Sequence, residues 1–76
     1  MNSARRKKLT AIQEKLEELS ELLGELRDEE QEAFDNLPEA LQGTERGQAM
    51  ENAVYYLDAA FDNLEDAYTL IESAKE

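Results

Sequence analysis

The 76-residue chain has no cysteine, no histidine, one proline and three glycines. Without Cys there is no disulfide to staple a small fold and no thiolate to act as a nucleophile. Without His the side chain best suited to proton transfer near neutral pH and to transition-metal ligation is missing as well. No catalytic residue, metal or cofactor is therefore expected, and the chain reads as a non-enzyme. Basic residues are also scarce: 8 Lys and Arg against 19 Asp and Glu leave a net charge of −11. Direct nucleic-acid binding, which relies on clustered cations, is disfavoured. Long apolar runs are lacking too. After Arg5, Arg6, Lys7 and Lys8 the chain reads Leu-Thr-Ala-Ile-Gln-Glu-Lys, where a secretory signal would need an apolar run of about 7–15 residues. No segment approaches the roughly 18 apolar residues of a membrane span. The expectation is a cytoplasmic protein with no membrane contact.

What is present is helical periodicity. From Leu9 the apolar positions run Leu9, Ile12, Leu16, Leu19, Leu23, Leu26, alternating by three and four, the signature of one helix stripe. Ser3 is placed to cap this helix, and Pro38 makes Leu37 a poor helical residue, so the first helix is predicted over about 4–36. The second run is Met50, Val54, Leu57, Phe61, Leu64, Tyr68, Ile71. Thr44 is its expected N-cap, with a helix over about 45–74. The connection, about 37–44, holds Pro38 and Gly43 at spacings that predict a short helical turn.

Folding the runs back antiparallel pairs Leu9 with Ile71, Leu16 with Leu64 and Leu23 with Leu57. With Leu9 and Val54 taken as heptad position a, position e of the second helix is Glu51, Asp58, Glu65 and Glu72, opposite Arg6, Gln13, Ser20 and Arg27. Arg6 is expected near Glu72 and Arg27 near Glu51. Gly24 falls on the outer face. The predicted class is all-α, an antiparallel two-helix hairpin forming one domain.

Of 31 apolar residues, ten are alanine, and a chain this short buries only about 60% of its unfolded surface. Self-association is the natural supplement. Position g of the second helix is Ala53, Ala60, Ala67 and Ala74, beside Ala49, Tyr56, Asn63 and Leu70 at position c, and the first helix adds Leu22 and Ala11. A single hairpin leaves this stripe wet. The sequence thus predicts a homodimeric four-helix bundle joined through Ala53, Tyr56, Ala60, Ala67 and Leu70. Alanine as a plain helix former is the alternative.

Two further surfaces are candidates for other partners. The outer face of the first helix carries Glu14, Glu18, Glu21, Glu25, Asp28 and Glu32, which reads either as a solubilising face or as a charge array for a basic groove. The connection gathers Phe34, Leu37 and Leu41 with Arg46 at a helix start, where an anion or partner could be held. The alternative is that these residues only plug the end of the bundle.

Three segments carry a resemblance: the opening Met-Asn-Ser-Ala-Arg-Arg-Lys, Asp28 to Glu39, and Thr44 to Gly47. In these the chain resembles small acidic helical proteins encoded in phages and prophages of Gram-positive bacteria. The resemblance implies a bacterial host cell and a non-enzymatic protein that binds a host or phage protein, including defence components. It supplies no activity for individual residues. Two alternatives stay open: a DNA mimic that inhibits a nucleic-acid enzyme, and a binder that sequesters an anionic nucleotide.

Overall fold

Both periodic runs are unbroken helices in the computed structural model, which covers residues 1–76. The elements are α1 (Ser3–Asp35), α2 (Glu39–Gln42) and α3 (Glu45–Ala74). Asn2, not Ser3, caps α1: its extended backbone lets the side-chain oxygen accept from the Arg5 N–H at 2.8 Å. A cap must reach the second or third helical N–H, and Asn2 does so while Ser3 lies inside the first turn. Asn36 ends α1, since the residue before Pro38 is pushed out of helical geometry. The short turn forms as α2, with Pro38 before it and Gly43 after it.

Thr44 stands at the start of α3, yet its hydroxyl caps nothing and donates back to the Leu41 carbonyl. Glu45 in the first turn supplies the favourable charge at that helix end. Gln42 secures the corner, its amide donating to the Leu37 carbonyl at 3.1 Å and the Phe34 carbonyl at 3.4 Å. Those contacts satisfy acceptors that the end of α1 would leave open.

The helices α1 and α3 pack antiparallel into a rod of 58 × 15 × 12 Å. No helix is long and apolar enough to cross a membrane. The pairing differs from the expected one in register and in rotation. Arg27 meets Asp58 at 2.8 Å, not Glu51, and Gln13 meets Glu72 at 2.9 Å, with Glu65 one heptad away. Arg6 donates to the Lys75 carbonyl at 2.8 Å and not to Glu72. Leu16 shares a recess with Tyr68, one turn beyond its expected partner Leu64.

The rotation matters more for function. Along α1 the residues turned to α3 are Leu9, Gln13, Leu16, Ser20, Leu23 and Arg27, so the seam uses positions a and e where a and d were expected. At 100° per residue this turns α1 by about 50°. Gln13 and Ser20 are buried, at 3% and 5% exposure, while Ile12, Leu19 and Leu26 are 46–52% exposed, and no apolar side chain is fully buried.

The size of the facing side chains explains the choice. Phe61 and Tyr68 are the bulky residues of the α3 stripe, and they need small or slender neighbours. Gly24, expected on the outer face, supplies one: a Cβ built there would lie 3.7 Å from the Phe61 ring. Arg27 lays its guanidinium 5.2 Å from the Phe61 centroid, and the Gln13 amide reaches the Tyr68 carbonyl at 3.1 Å. No buried side-chain N or O lacks a partner, so polar burial in the seam is compensated.

Candidate interaction surfaces

The seam fixes which way every other column faces. On one flank the polar residues of the two helices meet. Arg27 bridges Asp58 and Asp28, and these two hydrogen bonds, Asp58 first, hold its pKa above the ordinary value. Tyr68 is raised by its hydrogen bond to Glu17 and by that carboxylate's charge. Glu72 is lowered, first by the Gln13 amide and then by Lys75 at 3.2 Å. A depressed carboxylate stabilises the fold above its unfolded-state pKa, and that contribution fades as pH falls through the lower folded value. An NMR titration should therefore find the Glu72 midpoint below the ordinary carboxylate range. Gln13→Ala should move it up; an unchanged midpoint would contradict the assignment.

The opposite flank is apolar. Because Asp58 and Glu72 of α3 turn toward Arg27 and Gln13, the alanine column falls on the other side, next to Ile12, Leu19 and Leu26 of α1. Ala53, Ala60 and Ala67 are half-buried, while Tyr56 and Leu70 beyond them are about 70% exposed. Leu22 extends the same face on α1 at 55% exposure. The sequence-predicted self-association residues thus lie on one surface, joined there by an α1 column that periodicity had assigned to the hairpin core.

The acids Glu14, Glu18, Glu21, Glu25, Asp28 and Glu32 are all exposed, on the side of α1 turned away from α3. Their spacing of four and three keeps them in one stripe, about 27 Å long at 1.5 Å per residue. No group of three or more carboxylates converges as a metal site.

At the connection, Phe34 and Leu37 are half-buried, Leu41 is more exposed, and Arg46 is fully on the surface without an ion pair. Gly47 is buried against the Gln42 backbone. Phe34, Leu37, Leu41 and Arg46 therefore lie at the surface of the corner, and no recess opens beside Arg46. The two recesses of the molecule lie elsewhere. One, of about 190 Å³, is lined by Leu16, Glu17, Ser20, Glu65 and Tyr68, and the other, of about 200 Å³, by Met1, Arg5, Lys8 and Leu9. Sequence reading missed both, since each depends on the rotation or on the helix end. The small residues Ser20 and Gly24 opposite aromatic rings were the available signal for the first.

Comparison with family models, with curated proteins and with solved structures gives no match. What the fold and its surfaces define is a helical hairpin with an acidic face and a separate apolar face.

Proposed function

We propose that the protein acts by binding and not by catalysis: a homodimeric helical bundle that docks a basic surface of a host or phage protein and modulates it. A bacterial defence component fits that partner. The observation that carries this reading is the separation of the two faces of α1. Six of its carboxylates, Glu14, Glu18, Glu21, Glu25, Asp28 and Glu32, form one stripe directed away from α3, and its exposed leucines stand on another side. The apolar side serves self-association, and the acidic stripe remains outside for the partner. Carboxylates arrayed along a rigid helix speed encounter with a basic surface and make the association sensitive to salt.

The test is binding to a partner captured from host lysate, measured with the wild type and with a variant in which Glu18, Glu21, Glu25 and Asp28 are reversed to Lys. Circular dichroism checks that both fold. The proposal expects wild-type affinity to fall steeply as salt rises and the reversed variant to lose binding. Full affinity in the reversed variant would overturn it.

The even spacing of the stripe supports a second reading, a DNA mimic that occupies the groove of a nucleic-acid enzyme. Competition by duplex DNA for the captured partner distinguishes it, since a mimic is displaced and an unrelated protein contact is not.

A further inference from the structure

The exposed apolar face has a symmetry of its own. On α1 the residues of positions d and g run Ile12, Lys15, Leu19, Leu22, Leu26, Glu29 and Ala33, again alternating by four and three. Read outward from Leu22 in both directions, the list is self-complementary: Leu19 answers Leu26, Lys15 answers Glu29, and Ile12 answers Ala33. We infer that this face is covered by a second copy of the chain, with α1 antiparallel to the partner's α1 and Leu22 on the two-fold axis. This rests on the homodimer proposed above and specifies its geometry.

Three observations carry it. The first is charge. Antiparallel pairing about Leu22 sets each Lys15 against a Glu29, whereas parallel pairing would set like against like. Stacking α1 on the partner's α3 would leave both charges facing a column of Ala, Tyr, Asn and Leu. The same arrangement brings Arg5, Arg6, Lys7 and Lys8, which form no ion pair within the chain, level with the acidic corner around Asp35 and Glu39 of the second copy.

The second is that α3 accommodates the same axis. Its exposed columns are self-complementary about Asn63: Tyr56 answers Leu70, and Ala60 answers Ala67. In the hairpin, Gly24 lies against Phe61 and Ser20 lines a recess with Glu65. Leu22, between Ser20 and Gly24, therefore stands level with Asn63, and one two-fold axis passes both.

The third is area and rotation. The face is two helices wide and about 30 Å long, roughly 600 Å² in projection, the scale of the ~800 Å² of accessible surface each partner contributes to a stable dimer. The rotation of α1 places its apolar columns between α3 on one side and this face on the other.

The test uses the full chain, which has no cysteine of its own. Sedimentation equilibrium reads the dimer dissociation constant, and oxidative cross-linking reads the axis. Leu22→Cys should give a disulfide-linked dimer under mild oxidation, and Tyr55→Cys should not. Lys15→Glu and Glu29→Lys should each weaken the dimer by roughly tenfold, with the double charge swap restoring it. A folded monomer at micromolar concentration overturns both the dimer and its geometry. A stable dimer without the Leu22→Cys cross-link and without charge-swap rescue overturns the geometry alone.

Discussion

Gly47→Ala should destabilise the protein by about 1–3 kcal/mol or more, the range of overpacking at a site that cannot relax, although an alanine within a helix ordinarily stabilises it. A Cβ at Gly47 would overlap the carbonyl and Cα of Gln42, which are backbone atoms at the turn into α3. The Gln42 amide also holds the end of α1 through the Phe34 and Leu37 carbonyls, so displacing it opens the whole corner. Gly24→Ala is the matched control. There the new methyl meets the Phe61 ring and the Arg27 guanidinium, both at ordinary contact distance, and the helix propensity of alanine should raise stability by about 1 kcal/mol. Thermal unfolding of the two variants at equal protein concentration, so that the proposed self-association contributes equally to both, checks the opposite signs. A stabilising Gly47→Ala would contradict the packing of the corner.

Phe61→Ala should cost about 2–4 kcal/mol, toward or below the low end for a fully buried ring because Phe61 keeps some exposure. Its ring fills the space left by Gly24 and carries the Arg27 guanidinium. A Phe61→Leu variant should recover most of the packing but not the cation–π contact, which contributes about 0.5–1 kcal/mol at an exposed site. Denaturant unfolding of the two variants and of Arg27→Ala measures this. A loss under 1 kcal/mol for Phe61→Ala would show that the ring is peripheral to the seam.

Helix extents, the antiparallel turn and the short α2 were legible because each is set by local chemistry: heptad spacing, Pro38, Gly43, and the acidic residue at the start of α3. The cap of α1 was misplaced by one residue because Asn2 and Ser3 are both good caps and only backbone geometry separates them. The rotation of α1 was not legible from hydrophobic periodicity. That pattern marks an apolar stripe wide enough to serve two neighbours and does not say which half faces which. The decision came from the sizes of Phe61 and Tyr68 against Ser20 and Gly24, a property of pairs across the seam and not of either run alone. A separate shift in register, by one heptad along α3, moved Arg27 from Glu51 to Asp58. Of the candidate surfaces, the alanine stripe was readable in sequence, but its other half, Ile12, Leu19 and Leu26, was hidden by its assignment to the core. The connection offered apolar groups and a cation in sequence, but the roles of Gln42 as a tie to the end of α1 and of Gly47 as the point of close backbone approach were not legible there, since both depend on how the corner folds.

Nuclear Overhauser contacts test, without any mutation, whether the exposed apolar face joins two copies about an axis through Leu22. Ile12 and Ala33 are separated by about 31 Å along one helix, and Tyr56 and Leu70 by about 21 Å, so neither pair can make contact within a chain. A dimer of this geometry gives contacts between the Ile12 and Ala33 methyl groups and between the Tyr56 ring and the Leu70 methyl groups in the folded protein at micromolar to millimolar concentration. A well-folded protein that lacks both would contradict it.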